Sequence, residues 1–258
     1  MGKSRGLTVF VVLVYAFLFI PIIIITLTSF GTDSYVVFPP RGFTLRWYET
    51  VFQTESFMRT FKISMMVSIP ATLLALALGI PGAYALSRYR FPGQKSLKNF
   101  FMSPKIIPGI VTGFVLFQFI VIRMGMSVYG GLLLGLAIVE IPYALRVIGA
   151  SLEMVDYSME EAAMSLGSSR VGSFFKIVLP NITSGIIAAF MLSFISAFNN
   201  VPVALFLSGP GISTLPITMM NYVEYNYDPT ISALSVLLML ITIAIMFVVE
   251  KTLGINNV

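Results

Sequence analysis

The sequence predicts an all-α, polytopic membrane protein, and three properties of its composition support this fold class. Of the 258 residues, 57% are apolar and only 10% are charged, whereas a soluble globular domain carries about 25% charged residues. Uncharged stretches recur that match the roughly 20 residues a helix needs to cross a bilayer. Cysteine and histidine are both absent, which excludes disulfide scaffolds, His-dependent triads and Cys or His metal sites. We therefore expect helices in lipid, with neither a metal nor a cofactor.

Six transmembrane helices are predicted within a single transmembrane domain covering residues 1–258. The first contains no charge between Arg5 and Asp33. Because this apolar run exceeds the roughly 7–15 residues of a signal-peptide core, we interpret it as a retained helix. Pro70 and Pro81 are compatible with the second span, since neighbouring helices can satisfy the carbonyls that a proline frees. The predicted spans cover residues 7–30, 58–86, 99–122, 130–150, 182–207 and 229–249.

The positions of the basic residues predict the orientation of the chain. The net charge is +5, but lysine and arginine lie in short segments between apolar stretches rather than in one stripe, so nucleic acid is not expected as a partner. Six spans put both termini on one side, and the excess of basic residues on that side makes it cytoplasmic. Ten basic residues share it (Lys3, Arg5, Arg88, Arg90, Lys95, Lys98, Arg146, Arg170, Lys176 and Lys251), and five lie opposite (Arg41, Arg46, Arg59, Lys62 and Arg123).

No nucleotide site and no catalytic centre are predicted, so the chain is not expected to be an enzyme. The segment Gly93-Gln-Lys-Ser resembles a phosphate loop only superficially, because it lacks the Gly-x4-Gly-Lys-Ser/Thr pattern. The spans contain few acids and the chain has no His or Cys, which leaves no plausible set of groups for acid–base or nucleophilic catalysis.

The longest polar interruption, residues 151–180, is predicted to form an elbow of two short helices at the membrane face. Met159 to Leu166 is a good helix former, and Gly167 can end that helix because glycine readily adopts the left-handed conformation of a C-cap. A second segment, Ser168 to Lys176, leads to Pro180 and the fifth span. We expect the carboxylates of this elbow to lie on its exposed part.

The elbow also carries a spacing that resembles a known family. The pattern Glu161-Ala162-Ala163-x3-Gly167-x9-Ile177-x-Leu179-Pro180 resembles, without departure, the cytoplasmic signature of permease subunits of binding-protein-dependent ABC importers. The resemblance extends over essentially the whole chain. Further segments are similar to the spermidine/putrescine branch of the family, namely Leu45-Arg-Trp-Tyr, Gly82-Ala-Tyr-Ala-Leu-Ser-Arg, Ile141-Pro-Tyr and Thr214-Leu-Pro.

The resemblance implies a type I importer permease in a bacterial-type inner membrane, with a helix that couples it to an ATPase. Ala162, Ala163 and Gly167 would dock into a cleft of that ATPase, and Glu161 would pair or hydrogen-bond with it. The implied partners are two cytoplasmic ATPase subunits, a second permease subunit (the same chain or a homologue) and an extracytoplasmic solute-binding protein. The full set of expected coupling residues is Glu160, Glu161, Ala162, Ala163, Gly167, Ile177, Leu179 and Pro180.

Polar residues inside the predicted spans are candidates for the substrate path, because ionisable groups at membrane depth are costly and mark functional sites. Glu140 lies near the middle of the fourth span. It either lines the path and attracts a cation, or makes a structural pair with Lys105 or a hydrogen bond near Pro142. Lys105 itself is expected to extend its amine towards the membrane surface. Tyr143, Asn199 and Asn200 complete the candidate path.

The solute is less well predicted than the class of transporter. Where the polyamine branch often resembles Ser-Phe-Asp-Glu or Ser-Phe-Asp-Asp, this chain has Ala197-Phe-Asn-Asn, which removes negative charge that would favour a polyamine. A phosphonate, iron or an opine-like compound is the alternative within the same class. An ion-coupled secondary transporter is the alternative outside it, but such a carrier needs intramembrane carboxylates as relays, and Glu140 is nearly alone.

Overall fold

The structure, a computed structural model, describes residues 5–102 and 107–253, and it is helical, as predicted. Helices account for 79% of the described residues. Within the described residues there is no β-strand, and Gly209 and Ile212 form an isolated bridge. Lys105, for which a position near the membrane surface was expected, lies outside the described residues.

Among residues 5–102 and 107–253, four helices are long and apolar enough to cross a membrane. They are α1 (Arg5–Thr28), α3 (Glu55–Arg88), α6 (Val128–Glu153) and α13 (Thr230–Leu253), and they correspond to the first, second, fourth and sixth predicted spans. A fifth crossing is obtained if residues 170–181 and α10 (Thr183–Phe198) are taken as one span bent by 70°.

The prediction of one continuous helix over residues 99–122 is wrong. Helix α4 covers Gln94–Met102, and α5 (Gly109–Leu116) begins only after Pro108, whose backbone is extended at φ −52° and ψ 131°. Proline lacks an N–H and disfavours helical geometry in the residue before it, so the chain breaks at this point. Helix α5 then continues as a π-helix, Phe117–Arg123.

The prediction of one continuous helix over residues 182–207 is also wrong. Helix α10 ends at Phe198, Asn199 and Asn200 interrupt the helix, and α11 covers Val201–Phe206. The Asn200 side-chain oxygen accepts a hydrogen bond of 3.1 Å from the Val203 N–H, which makes it the N-cap of α11. Asparagine favours caps over helix interiors because its side chain competes for backbone groups.

Two helices lie between the predicted spans. Helix α2 covers Arg46–Gln53 within the aromatic-rich segment after α1, and α12 covers Leu215–Tyr225. Both are held by tertiary contacts. Buried Trp47 donates its indole N–H to the Gly31 carbonyl at 2.7 Å, and the backbone N–H of Leu215 donates to Ser64 Oγ at 2.8 Å.

The chain divides into two compact units, of which the first comprises the described parts of residues 1–59 and 218–258. In this unit α13 packs against both α1 and α2. Helix α1 is apolar all round, and its most apolar stretch is not buried within the chain. Because a helix without a polar face cannot lie at a water interface, α1 must contact lipid or another membrane chain.

The second unit, residues 60–217, contains the candidate sites. Its core has two buried clusters, and α6 contributes to both, with Leu136 in one and Ile148 in the other. Helices α6 and α10 pack very closely, since a Cβ on Gly185 would overlap the side chain of Ser151. This close packing fixes α10 beside α6 and thereby sets the position of the polar groups on both helices.

Candidate functional site

Helix α7 (Tyr157–Ser165) forms the first half of the elbow, and both of its ends are capped. At its start, Asp156 accepts a hydrogen bond of 2.9 Å from the Ser158 N–H, which lowers the pKa of the Asp156 carboxyl below its ordinary value of 3.8. At its end Gly167 has φ +92°. The Gly167 N–H donates to Met164 and the Ser168 N–H to Ala163, each at 3.0 Å. These two bonds form a Schellman motif in which Leu166 is the C-cap and Gly167 is the left-handed residue that follows it, so α7 ends at Gly167 as predicted.

The second half of the elbow is three short pieces rather than one helix. Ser169 caps α8 (Arg170–Ser173) by accepting from the Gly172 N–H at 3.1 Å. A π-helix over Phe174–Val178 and the three-residue α9 (Leu179–Asn181) follow. Buried Val178 and Ile182 belong to a core cluster of the second unit. The elbow therefore rests on the core through its second half.

The expected coupling residues differ in accessibility. Glu161, Ala162, Gly167 and Pro180 are exposed, and Ala163, Ile177 and Leu179 are half-buried. One face of α7, together with the turn that follows it, is therefore available to a partner. The small side chains of Ala162 and Ala163 let a partner approach the helix backbone closely.

Glu160 departs from the expectation that the elbow carboxylates are exposed. Its side chain is only 3% exposed and accepts a hydrogen bond from the Tyr84 hydroxyl of α3. Its second carboxylate oxygen lies 3.6 Å from Nε of Arg88, at the end of the same helix. Sequence reasoning missed this arrangement because Tyr84 and Glu160 are 76 residues apart. The only signal was the polar Tyr and Arg near the end of an apolar helix.

A cavity of about 590 Å³ lies between α5, α6, α10 and α11. Three of the predicted path residues line it, namely Tyr143, Asn199 and Asn200. Ser196 and Thr112 also line it, and neither was predicted as a site residue. Ser196 lies one helical turn before Asn199 and Asn200, and this spacing places residues on one helix face.

Glu140, the fourth predicted path residue, lies behind the wall of this cavity rather than on it. Its side chain is fully buried, and one carboxylate oxygen accepts a hydrogen bond of 2.9 Å from Ser196 Oγ. Ser196 thus stands between a buried carboxylate and the cavity. This hydrogen bond joins Glu140 on α6 to Ser196 on α10.

The two asparagines stabilise the break between α10 and α11 as well as lining the cavity. Asn199 Nδ2 donates to the Ile195 carbonyl at 3.0 Å, while Asn200 Oδ1 caps α11. Asn199 Oδ1 and Asn200 Nδ2 make no hydrogen bond with the described part of the chain, so each asparagine has one polar atom available to a solute. The wall offers amide and hydroxyl groups that can both donate and accept.

The second unit thus combines a short helix, α7, that is capped at both ends with a cavity whose wall carries hydroxyl and amide groups. Residues 63–253 match the family model described as the inner membrane component of binding-protein-dependent transport systems. The chain belongs to this family. It is a permease subunit of an ABC importer, a multi-pass protein of the inner membrane.

Individual relatives agree with this assignment. The chain is 31% identical over 252 residues to the spermidine/putrescine transport system permease protein PotC of Haemophilus influenzae, with 96% of each chain covered. It is 32% identical over 244 residues to the putrescine transport system permease protein PotI of Escherichia coli, covering 92% of this chain and 86% of the relative.

Solved structures show the same fold. A bacterial alginate ABC transporter in complex with its alginate-bound periplasmic protein matches with a TM-score of 0.74 at 16% identity, covering 95% of this chain and 91% of that one. The MetNI methionine ABC transporter in an inward-facing conformation matches with a TM-score of 0.64 at 17% identity, covering 78% of this chain and 96% of that one.

Proposed function

We propose that this chain forms the translocation path for a small cationic solute of the polyamine class. The observation that carries the proposal is the cavity wall of Tyr143, Ser196, Asn199 and Asn200 with the carboxylate of Glu140 directly behind it. Hydroxyl and amide oxygens accept hydrogen bonds from ammonium groups, and a carboxylate in a low-dielectric interior attracts a cation over several ångströms. The names of the relatives that transport spermidine and putrescine support the same solute class.

A different solute of the same kind of importer is the second candidate. The wall has asparagine where the polyamine branch often has acids, so the described cavity lining contains no carboxylate. A polyamine carries several positive charges, and one buried carboxylate balances only part of them. This neutral lining favours a solute of lower charge, such as an opine-like compound. A phosphonate and iron are the other solutes of this second candidate.

We place the contact with the ATPase on the exposed part of α7. Glu161 would pair with a basic or hydrogen-bonding group of the ATPase, and Ala162, Ala163 and Gly167 would allow the close approach. Ile177, Leu179 and Pro180 would connect this contact to α10, since they lie in the segment that joins the elbow to that helix. Closing of an ATPase dimer would then move the elbow and switch the cavity between its two accessible states.

The proposed topology has six crossings, with both termini and the elbow in the cytoplasm. Four helices cross without interruption, the bent pair ending in α10 makes a fifth, and the predicted third span contains α5 and the following π-helix. The complex would contain two ATPase subunits, this chain with a homologous permease or a second copy of itself, and an extracytoplasmic solute-binding protein. No cofactor is expected in this chain.

Reconstituted transport tests the proposed function. The chain would be co-expressed with an ATPase, a partner permease and a solute-binding protein, and the purified complex would be reconstituted into proteoliposomes. We expect uptake of radiolabelled putrescine or spermidine that requires ATP and the binding protein. Uptake of an opine-like compound or a phosphonate, with no uptake of polyamine, would establish the second candidate. Uptake without ATP that follows an ion gradient would contradict an ABC mechanism altogether.

A further inference from the structure

A buried polar cluster joins the elbow to helix α3. It consists of Glu160 on α7 and of Tyr84 and Arg88 on α3. The Tyr84 hydroxyl donates to Glu160, and Nε of Arg88 lies 3.6 Å from the second carboxylate oxygen, with the two charged side chains 10% and 3% exposed. Arg88 also donates to the Val155 carbonyl at 3.2 Å, and its guanidinium lies 5.1 Å from the ring centre of Tyr157.

The cluster holds both halves of the elbow. The ring of Phe174, in the second half, packs edge-on against Tyr84 with 4.9 Å between ring centres. Val155 and Tyr157 belong to the start of the first half. Tyr84 and Arg88 therefore contact the elbow before Gly167 and after it, and all these contacts come from the last two turns of α3.

Helix α7 depends on such contacts for its position. It has nine residues, and helices this short are marginal in water because nucleation is unfavourable. Its caps fix its ends but not its direction relative to the membrane helices. The groups that fix this direction are polar and buried, where an ion pair is screened little by water and a lost partner leaves a costly unpaired charge.

We propose that Glu160, with Tyr84 and Arg88, is a positioning residue that makes α7 and α3 move as one body. The proposal rests on the proposed function, because it assumes that an ATPase acts on α7. Adjacent residues then have separate roles. Exposed Glu161 faces the partner, while buried Glu160 faces inward and transmits the displacement to α3. If the cluster were broken, the ATPase would move α7 without moving α3, and ATP would be hydrolysed without transport.

Distance measurements test the rigid connection directly. Because the sequence contains no cysteine, spin labels can be placed through Leu78→Cys on α3 and Ser158→Cys on α7, both exposed positions. In the assembled complex we expect one narrow distance distribution that is the same without nucleotide and in a nucleotide-trapped state. We expect Tyr84→Phe and Glu160→Gln to broaden or shift it. A distance that changes between states in the otherwise unaltered chain, or that neither variant affects, would overturn the proposal.

The ratio of solute transported to ATP hydrolysed tests the consequence. We expect Tyr84→Phe and Glu160→Gln each to lower this ratio by about threefold or more, with the double variant less than additive because the two residues contact each other. Tyr225→Phe and Glu224→Gln, exposed residues of α12, are matched controls and should leave the ratio unchanged. An unchanged ratio in variants that assemble normally would overturn the coupling role. If no ATPase co-purifies with the unaltered chain, the proposed function fails. The α3–α7 distance, measured in the chain alone, still tests whether the two helices are rigidly connected.

Discussion

Ser196 Oγ donates a hydrogen bond of 2.9 Å to the buried carboxylate of Glu140, and Ser196 itself lines the cavity. The bond links α6 to α10 at the wall of the cavity that we propose as the solute path. It keeps the carboxylate oriented towards the cavity without exposing it. A solute cation in the cavity would therefore contact the Ser196 hydroxyl and would be attracted by the Glu140 carboxylate behind it.

We expect Glu140→Gln to reduce transport of a cationic solute by about tenfold or more, since a hydrogen bond to a charged group contributes about 1.5–3 kcal/mol and the attraction of the charge is lost as well. Glutamine keeps the size of the side chain and an acceptor for Ser196. Assembly with the ATPase should be unaffected. Uptake assays measure the effect on transport, and co-purification with the ATPase measures the effect on assembly. Equal loss of assembly and transport would indicate a purely structural role for Glu140.

Gly167 and Gly149 provide a matched pair of glycine substitutions. Gly167 has φ +92°, so Gly167→Ala should destabilise the elbow by about 1 kcal/mol or more, because alanine is strained in the left-handed region. Gly149 is within α6, and a Cβ there meets nothing within 4 Å. Gly149→Ala should therefore stabilise by about 0.5–1 kcal/mol. Thermal unfolding in detergent measures the change in stability of each variant. A change of the same sign in both variants would contradict the explanation.

Substitutions at Asn200 separate its capping role from its role in the cavity. Asn200→Ala should destabilise α11 by about 1 kcal/mol, because the N-cap acceptor for Val203 is lost. Asn200→Asp keeps the acceptor and adds a negative charge at the cavity wall, so it should preserve stability and raise the affinity for a polyamine. Asn221→Asp, at an exposed position of α12, controls for added charge. Binding competition and thermal unfolding measure the two effects, and weaker polyamine binding by Asn200→Asp would argue against a cationic solute.

The cap at Asp156 predicts a pH dependence of α7. The Ser158 N–H bond lowers the pKa of this carboxyl in the folded state, so the charged form is the one that the fold stabilises. The contribution is fully present above the ordinary pKa of 3.8 and is lost as the pH falls through the lower folded value. Hydrogen exchange of α7 amides should therefore rise below about pH 4. Asp156→Asn, which keeps a cap without titrating, should abolish this pH dependence.

The sequence was sufficient for the class of protein because that class depends on composition and local spacing. Low charge, long apolar runs and the elbow pattern each follow from residues that are close in the chain. The end of α7 at Gly167 belongs to the same kind of inference, since one residue type after a helix-forming segment determines it. Of the four residues that the sequence predicted for the substrate path, Tyr143, Asn199 and Asn200 line the cavity and Glu140 does not.

Hydropathy alone did not reveal the breaks in the predicted third and fifth spans. Averaged over about 20 residues, the amide pair Asn199-Asn200 and the proline at 108 scarcely lower an otherwise apolar stretch. Their effect is local and steric, through a missing N–H at Pro108 and a capping acceptor at Asn200. Helices α2 and α12 were missed for the opposite reason, because partners distant in the chain stabilise them.

The sequence by itself determined that this chain is a membrane permease, and it predicted an elbow for an ATPase and several polar residues within the spans. Only the tertiary structure decided what each polar residue faces. Glu160 and Glu161 are neighbours with the same side chain, yet one is buried against Tyr84 and Arg88 and the other is exposed. The physical reason is that burial and pairing depend on groups brought together from distant parts of the chain, and no local pattern encodes them.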